Sequence, residues 1–289
     1  MMKSMLRCSN EHEKMTSFQK VWAILFPYLL YYLAYSAVYI MLAFIQEVLM
    51  GSQNESWRKF MTQHAGTVSG VMSGLAMMFG IFPLIPMLKK ELFWRAGMCG
   101  NAGGSDRVGL IKEMLFTGIL ACTSSLGLNI LLTLTGFSDS SQSYQEVAKQ
   151  QYGVAFVVGL ILYGLISPLA EEVVFRGVIF NRTRRFYGPA LAIVISGLFF
   201  GAFHGNLVQG VYGGCMGILM AYLYEKSGRF AVPFAFHAVA NLAVYITAYS
   251  SSFQKVLFTP VGCAVLLAVS VGCIAAERRI RGKLQEPVM

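Results

Sequence analysis

Three short runs put ionisable or amide side chains inside otherwise apolar stretches: Ala170-Glu171-Glu172-Val173-Val174-Phe175-Arg176, Phe200-Gly201-Ala202-Phe203-His204 and His237-Ala238-Val239-Ala240-Asn241. A charged group at membrane depth costs roughly 2.5–3.5 kcal/mol on insertion scales, so such residues signal function by default. A carboxylate beside an imidazole can activate water for attack on an amide. Glu171 is the candidate general base, and His204 shares the proton or orients the water. Burial in apolar surroundings makes a carboxylate a better proton acceptor. His237 and Asn241, at i and i+4 on one helical face, can donate hydrogen bonds to a developing oxyanion. Glu171, His204 and His237 are also two imidazoles and one carboxylate, an established catalytic Zn²⁺ set with an open water position. No His-Glu-x-x-His run separates the two cases, and metal-dependent and metal-free hydrolysis both fit these residue types.

Each run alone has a plainer reading. The two glutamates can mark a helix end, His204 can be a packing residue, and His237 with Asn241 can form an interhelical hydrogen-bond pair. Taken together these readings weaken, because two of the four histidines sit inside apolar spans alongside the carboxylates. Adjacent helical residues point roughly 100° apart, so Glu171 and Glu172 cannot share a role. Glu172 and Arg176 have the i, i+4 spacing of a salt bridge, which leaves Glu171 free to face the bundle interior. Glu171 and His204 are also equally far in sequence from a turn at Tyr187-Gly188-Pro189. In an antiparallel hairpin they sit level, each about 24 Å from the tip. That requires the first arm to run past the membrane, with Arg182, Arg184 and Arg185 protruding from it. Simple counting puts His237 near the inner end of its helix and His204 near the outer end of its own, so tilt and a protruding hairpin must bring them level.

The elements that position these groups are membrane helices. The 289-residue chain is 56% hydrophobic and 13% charged, against about 25% charged in soluble domains. Continuous apolar runs without polar alternation exclude barrel strands and predict an all-α polytopic bundle. About eight transmembrane helices are expected, over Val21–Met50, Gly66–Leu88, Val108–Gly136, Gly153–Ala170, Pro189–His204, Leu207–Tyr224, Phe230–Tyr249 and Val256–Ala276. The segments are a tail (1–20), three helices with their loops (21–152), a core (153–250), and a last helix with a basic tail (251–289).

The net charge of +9 is not the footprint of a nucleic-acid binder. With the N-terminus cytoplasmic, 19 of the 23 Lys and Arg flank the inner ends of the spans and only Arg58, Lys59, Lys149 and Lys255 lie outside, as the positive-inside rule requires. Both termini are therefore expected in the cytoplasm, and the Glu277–Lys283 stretch reads as a surface anchor on the lipid bilayer. The six scattered cysteines read as free thiols. No removable signal peptide is evident, and the first span directs insertion. Gly97–Gly104 reads as a flexible loop and Ser138–Gln151 as an external one. Tight helix packing is expected at Gly66, Gly70 and Gly74, at Gly210 with Gly214, and at Gly213 with Gly217.

In order and spacing, Glu171-Glu172-x-x-x-Arg176, Phe200-x-x-x-His204 and His237-x-x-x-Asn241 resemble the three motifs of the CPBP family of CAAX prenyl endopeptidases and bacteriocin-processing and immunity proteins, also called the Abi family. The intervals from Glu171 to His204 and on to His237 are both 33 residues, and the resemblance covers roughly Leu160 to Tyr249. It implies a helical core enclosing the site and endopeptidase cleavage of a membrane-associated or lipidated peptide or protein in the cell membrane. By carry-over, Glu171 activates water beside His204, His237 and Asn241 form the oxyanion site, and Glu172, Arg176 and Phe200 support them. Members of that family have been described both as metalloproteases and as metal-independent glutamate peptidases.

Two other classes compete with a peptidase. One is a non-catalytic immunity or scaffold protein of the same fold. The other is a proton-coupled transporter, since buried Glu and His also build proton relays. Transporters often carry repeated halves, whereas here the polar motifs fall only in the second half.

Overall fold

The computed structural model describes residues 15–51, 54–98 and 107–285. Lys3, Arg7, Lys14, Cys8 and Cys99, most of the Gly97–Gly104 run, and the side chains of Arg107, Arg278, Arg279, Arg281 and Lys283 lie outside the described residues. Among the described residues eleven helical rods follow in order: α1 (Ser17–Met50), α2 (Glu55–Gln63), α3 (Ala65–Met98, with a 3₁₀ turn at Phe82–Leu84), α4 (Arg107–Leu134), α5 (Gln142–Tyr152), α6 (Phe156–Tyr187), α7 (Pro189–Phe203), α8 (Leu207–Ser227), α9 (Ala231–Ala248), α10 (Ser251–Leu257) and α11 (Pro260–Gln285).

Seven of these are long and apolar enough to cross a membrane: α1, α3, α4, α6, α8, α9 and α11. The expectation of about eight spans is corrected at α7. It is apolar throughout but has only 15 residues, or about 22 Å of helix against a hydrocarbon core of about 30 Å. The polar stretch expected as a loop before α6 is instead helix α5. Ser141 Oγ caps it by accepting from the Tyr144 N–H at 3.3 Å, and Gln142 donates to Glu146 one turn on. Asn54 and Ser250 cap α2 and α10 in the same way. The last expected span divides at Thr259-Pro260, leaving α10 and α11 as separate helices.

The central rod is α6, whose residues from Ala170 to Asn181 are all buried. Its apolar side chains Val173, Val174, Phe175, Val178 and Ile179 pack with Phe200, Met216, Met220 and Phe236 from α7, α8 and α9. A helix apolar on all sides belongs inside a bundle. The rod is not a regular α-helix. Leu162–Ile166 and Val173–Phe180 are π-helical, and they bracket the α-helical turn Ser167–Glu172. The first wide turn directly precedes Pro168, whose ring in a regular helix would clash with the carbonyl four residues back. Such widened turns occur often at functional sites.

The rod stops at Gly188, whose φ of +85° and ψ of 173° are open only to glycine. Pro189 then starts α7 with its φ already set for a helix. The α6–α7 hairpin has the expected register: Phe175 and Phe200, also equidistant from the turn, meet edge to face at 5.3 Å. Its tip does not protrude freely. Arg182 Nε donates to Glu91 at 3.2 Å, Arg185 also donates to Glu91, and Arg184 is bidentate on Glu225 at 2.7 and 2.8 Å. Arg95, 2% exposed, donates to Glu225 at 2.8 Å and lies 4.9 Å from the Tyr224 ring centre. These ion pairs fasten the hairpin tip to α3 and α8.

Glycines set the approach of α7 to α8. A Cβ on Gly201 would collide with the Gly210 carbonyl oxygen and lie 2.8 Å from the Gly214 nitrogen, and Gly217 backs onto Gly197. Gly66, Gly70 and Gly74 make a similar seam against Gly153, Val154 and Leu162 of the α5–α6 connection and α6. The contacts expected from the glycine spacing thus have identified partners. Because the atoms facing Gly201 are backbone, they cannot swing aside. Gly201→Ala is expected to cost about 1–3 kcal/mol through overpacking, seen as a lower midpoint of thermal unfolding in detergent.

Candidate active site

The π turns of α6 and the glycine seam of α7 with α8 converge on one cavity of about 510 Å³, within the usual range of about 300–1,000 Å³ for ligand sites. Glu171, Phe200, His204, His237 and Asn241 all line it. The three motif runs, on three helices, therefore open into one space.

Glu171 is 6% exposed and faces the cavity as expected. Ser167, one turn earlier, donates through Oγ to its Oε1. Its Oε2 is buried and has no hydrogen-bond partner. The nearest basic atom is His237 Nε2, at 3.7 Å. That gap is too long for a direct hydrogen bond, and a small polar molecule can bridge it.

Glu172 points the other way and is fully buried. Its Oε1 accepts from Arg176 at 2.9 Å, the pair read from the i, i+4 spacing, and from His237 Nδ1 at 2.8 Å, which that spacing could not show. Arg176 also donates to the Gly217 carbonyl at 2.9 Å, and its guanidinium carbon lies 4.6 Å from the centre of the Phe200 ring. A carboxylate can only accept, so His237 Nδ1 carries a proton and Nε2 is the atom presented to Glu171.

His204 is fixed by the same logic. Its Nδ1 lies 2.8 Å from the Phe200 carbonyl oxygen, so Nδ1 donates and Nε2 is the acceptor. Gly213 backs onto the ring, and a Cβ there would stand in ordinary contact with it, 3.4 Å from Nδ1. The Phe200 ring stands edge to face with both histidines, at 5.0 Å from His204 and 5.3 Å from His237. It bridges the depth difference that counting along the helices left between them. Asn241 Nδ2 donates to the Tyr163 carbonyl at 2.9 Å in the first π turn. One amide N–H is thereby committed and the other remains for a ligand.

Ser167 and Tyr163 were not identified from sequence. Ser167 sits one turn before Glu171, a spacing that could have flagged it. Tyr163 acts through its carbonyl, which no residue type announces. Among the described residues no three His, Cys, Asp or Glu side chains gather as a metal-holding group. His204 lies across the Phe200 ring from His237. The candidate zinc ligands Glu171, His204 and His237 do not converge as a set here.

Residues 153–243, which hold all three motifs, match the family described as type II CAAX prenyl endopeptidase Rce1-like. The match covers less than a third of the chain and falls on the same motifs that carry the resemblance to the CPBP family. Over 185 residues the chain is 25% identical to YdiL of Bacillus subtilis (strain 168), a candidate membrane peptidase, covering 63% of this chain and 72% of YdiL. No solved structure matches.

Proposed function

We propose that the protein is an intramembrane endopeptidase that hydrolyses a peptide bond of a membrane-associated substrate with water activated by Glu171. The observation that carries this reading is the buried, unpartnered Glu171 Oε2 facing His237 Nε2 across 3.7 Å inside the cavity. Glu171 takes a proton from water while His204 Nε2 accepts the other water hydrogen and fixes its orientation. The hydroxide adds to the scissile carbonyl carbon. The free Asn241 N–H and a protonated His237 Nε2 donate to the resulting oxyanion. Glu172, bonded to Nδ1, holds the imidazole in that orientation, as the buried carboxylate does in a Ser-His-Asp triad. Glu171 returns its proton to the departing nitrogen, the C–N bond breaks, and an acid and an amine leave.

Asn241→Ala separates this reading from a proton relay. It removes an oxyanion donor, and turnover on a peptide substrate is expected to fall about 10²–10³-fold with protein abundance unchanged. A carboxylate proton pathway has no oxyanion to stabilise, so near-normal activity in Asn241→Ala would count against the peptidase mechanism.

A further inference from the structure

The cavity has an uncharged rim that mixes polar side chains with apolar ones such as Leu132, Val147 and Val208, and a single acidic group deeper in. Ser138 lines it from the α4–α5 connection, Tyr144, Gln150 and Gln151 from α5, and Gln209 and Tyr212 from the first turns of α8. Of the described residues that line it, Glu171 is the sole Asp, Glu, Lys or Arg. No lysine or arginine stands ready for a substrate carboxylate, and Glu171 opposes one. The rim suits an extended, uncharged peptide held by amide and hydroxyl hydrogen bonds.

The rim also has a definite side. It is built where α4 passes through α5 into α6 and where α7 turns at Gly205 into α8. The opposite end of the bundle holds the Gly188 and Gly228 turns and the cluster of Arg95, Arg182, Arg184 and Arg185 with Glu91 and Glu225. Cationic residues accumulate at cytoplasmic helix ends. The cluster therefore marks the inner end, and the cavity opens at the other.

We infer that the substrate is the uncharged juxtamembrane segment of a membrane-anchored or exported precursor, entering from the extracytoplasmic face and cut at an internal bond. A C-terminal peptide presented in the cytoplasm meets the wrong end of the bundle and, inside the cavity, an acidic group without a lysine or arginine beside it. This inference rests on the peptidase reading, but the location of the mouth does not.

Two measurements on the full chain in cells test it. In the first, Lys149→Cys, exposed on α5 beside the rim, and Lys226→Cys, exposed at the far end of α8, are each treated with a membrane-impermeant maleimide. Signal is read above the parent chain with its six native cysteines. Labelling of Lys149→Cys in intact cells, with Lys226→Cys labelled only after permeabilisation, is expected, and the reverse pattern overturns the inference. In the second, the peptide termini that disappear in Glu171→Gln are placed on the topology of the proteins they come from. Outer-face cuts flanked by uncharged residues are expected. Glu171-dependent cuts on the cytoplasmic face, or beside acidic residues, overturn the inference and leave the peptidase standing. A complete lack of Glu171-dependent termini overturns the peptidase reading and with it the substrate, while the labelling still decides the face of the mouth.

Discussion

Replacing Glu171 with Gln is expected to lower peptide-bond turnover by about 10³-fold, within the range of about 10²–10⁴ that a positioned general base contributes, without unfolding the protein. The side chain keeps its size and its place in the cavity. Gln can still accept a hydrogen bond from Ser167 through its amide oxygen, and it leaves no ion unpaired, because Glu171 is not the carboxylate that binds Arg176. What disappears is the proton acceptor at Oε2, the atom that has no other partner. Steady-state kinetics in detergent or nanodiscs, with thermal unfolding on the same samples, separates the two effects. A fall in kcat with an unchanged unfolding midpoint is the expected pattern. A parallel loss of folded protein would make Glu171 a structural charge.

The neighbouring carboxylate is expected to behave in the opposite way. Glu172→Ala leaves the guanidinium of Arg176, fully buried, without its ion partner and removes the acceptor of His237 Nδ1. Breaking a buried ion pair from one side costs about 3–5 kcal/mol, because the remaining charge stays buried and uncompensated. That is a large part of the total stability of a typical domain, so the expected result is a membrane protein recovered at low abundance or with a sharply lowered unfolding midpoint. Removing both partners in Glu172→Gln with Arg176→Met is expected to restore part of the abundance but not the turnover, since His237 still lacks the carboxylate that orients its ring. Full stability in Glu172→Ala alone would contradict the assigned pairing.

The contrast between two adjacent glutamates shows what local spacing could and could not reveal. The Glu172–Arg176 pair and the level placement of Glu171 with the α7 motif follow from helical geometry, and both are observed or supported by the hairpin register at Phe175 and Phe200. The His237–Glu172 bond joins residues 65 positions apart, and only the packing of α9 on α6 creates it. The widened turns of α6 were likewise illegible. Pro168 signals a disturbance, but whether the helix breaks, kinks or widens depends on what surrounds it. Arg182, Arg184 and Arg185 read as a free cytoplasmic tip because their partners, Glu91 and Glu225, lie on α3 and α8. Helix α5 escaped notice because its polar composition matches that of a loop, and its Ser141 cap shows only once the helix is known. The short α7 was hidden because its apolar run meets α8 with only the Gly205-Asn206 turn between them.

The central claim is that Glu171 makes this membrane protein a peptidase. The most direct test compares the terminal peptides of all membrane proteins in cells expressing wild type or Glu171→Gln at matched abundance, which requires no prior choice of substrate. Termini that are present with wild type and absent with Glu171→Gln are the predicted result, and they identify the bond that is cut. Identical termini in the two samples, with both forms folded and equally abundant, would contradict the claim and leave the cavity as a binding site without hydrolysis.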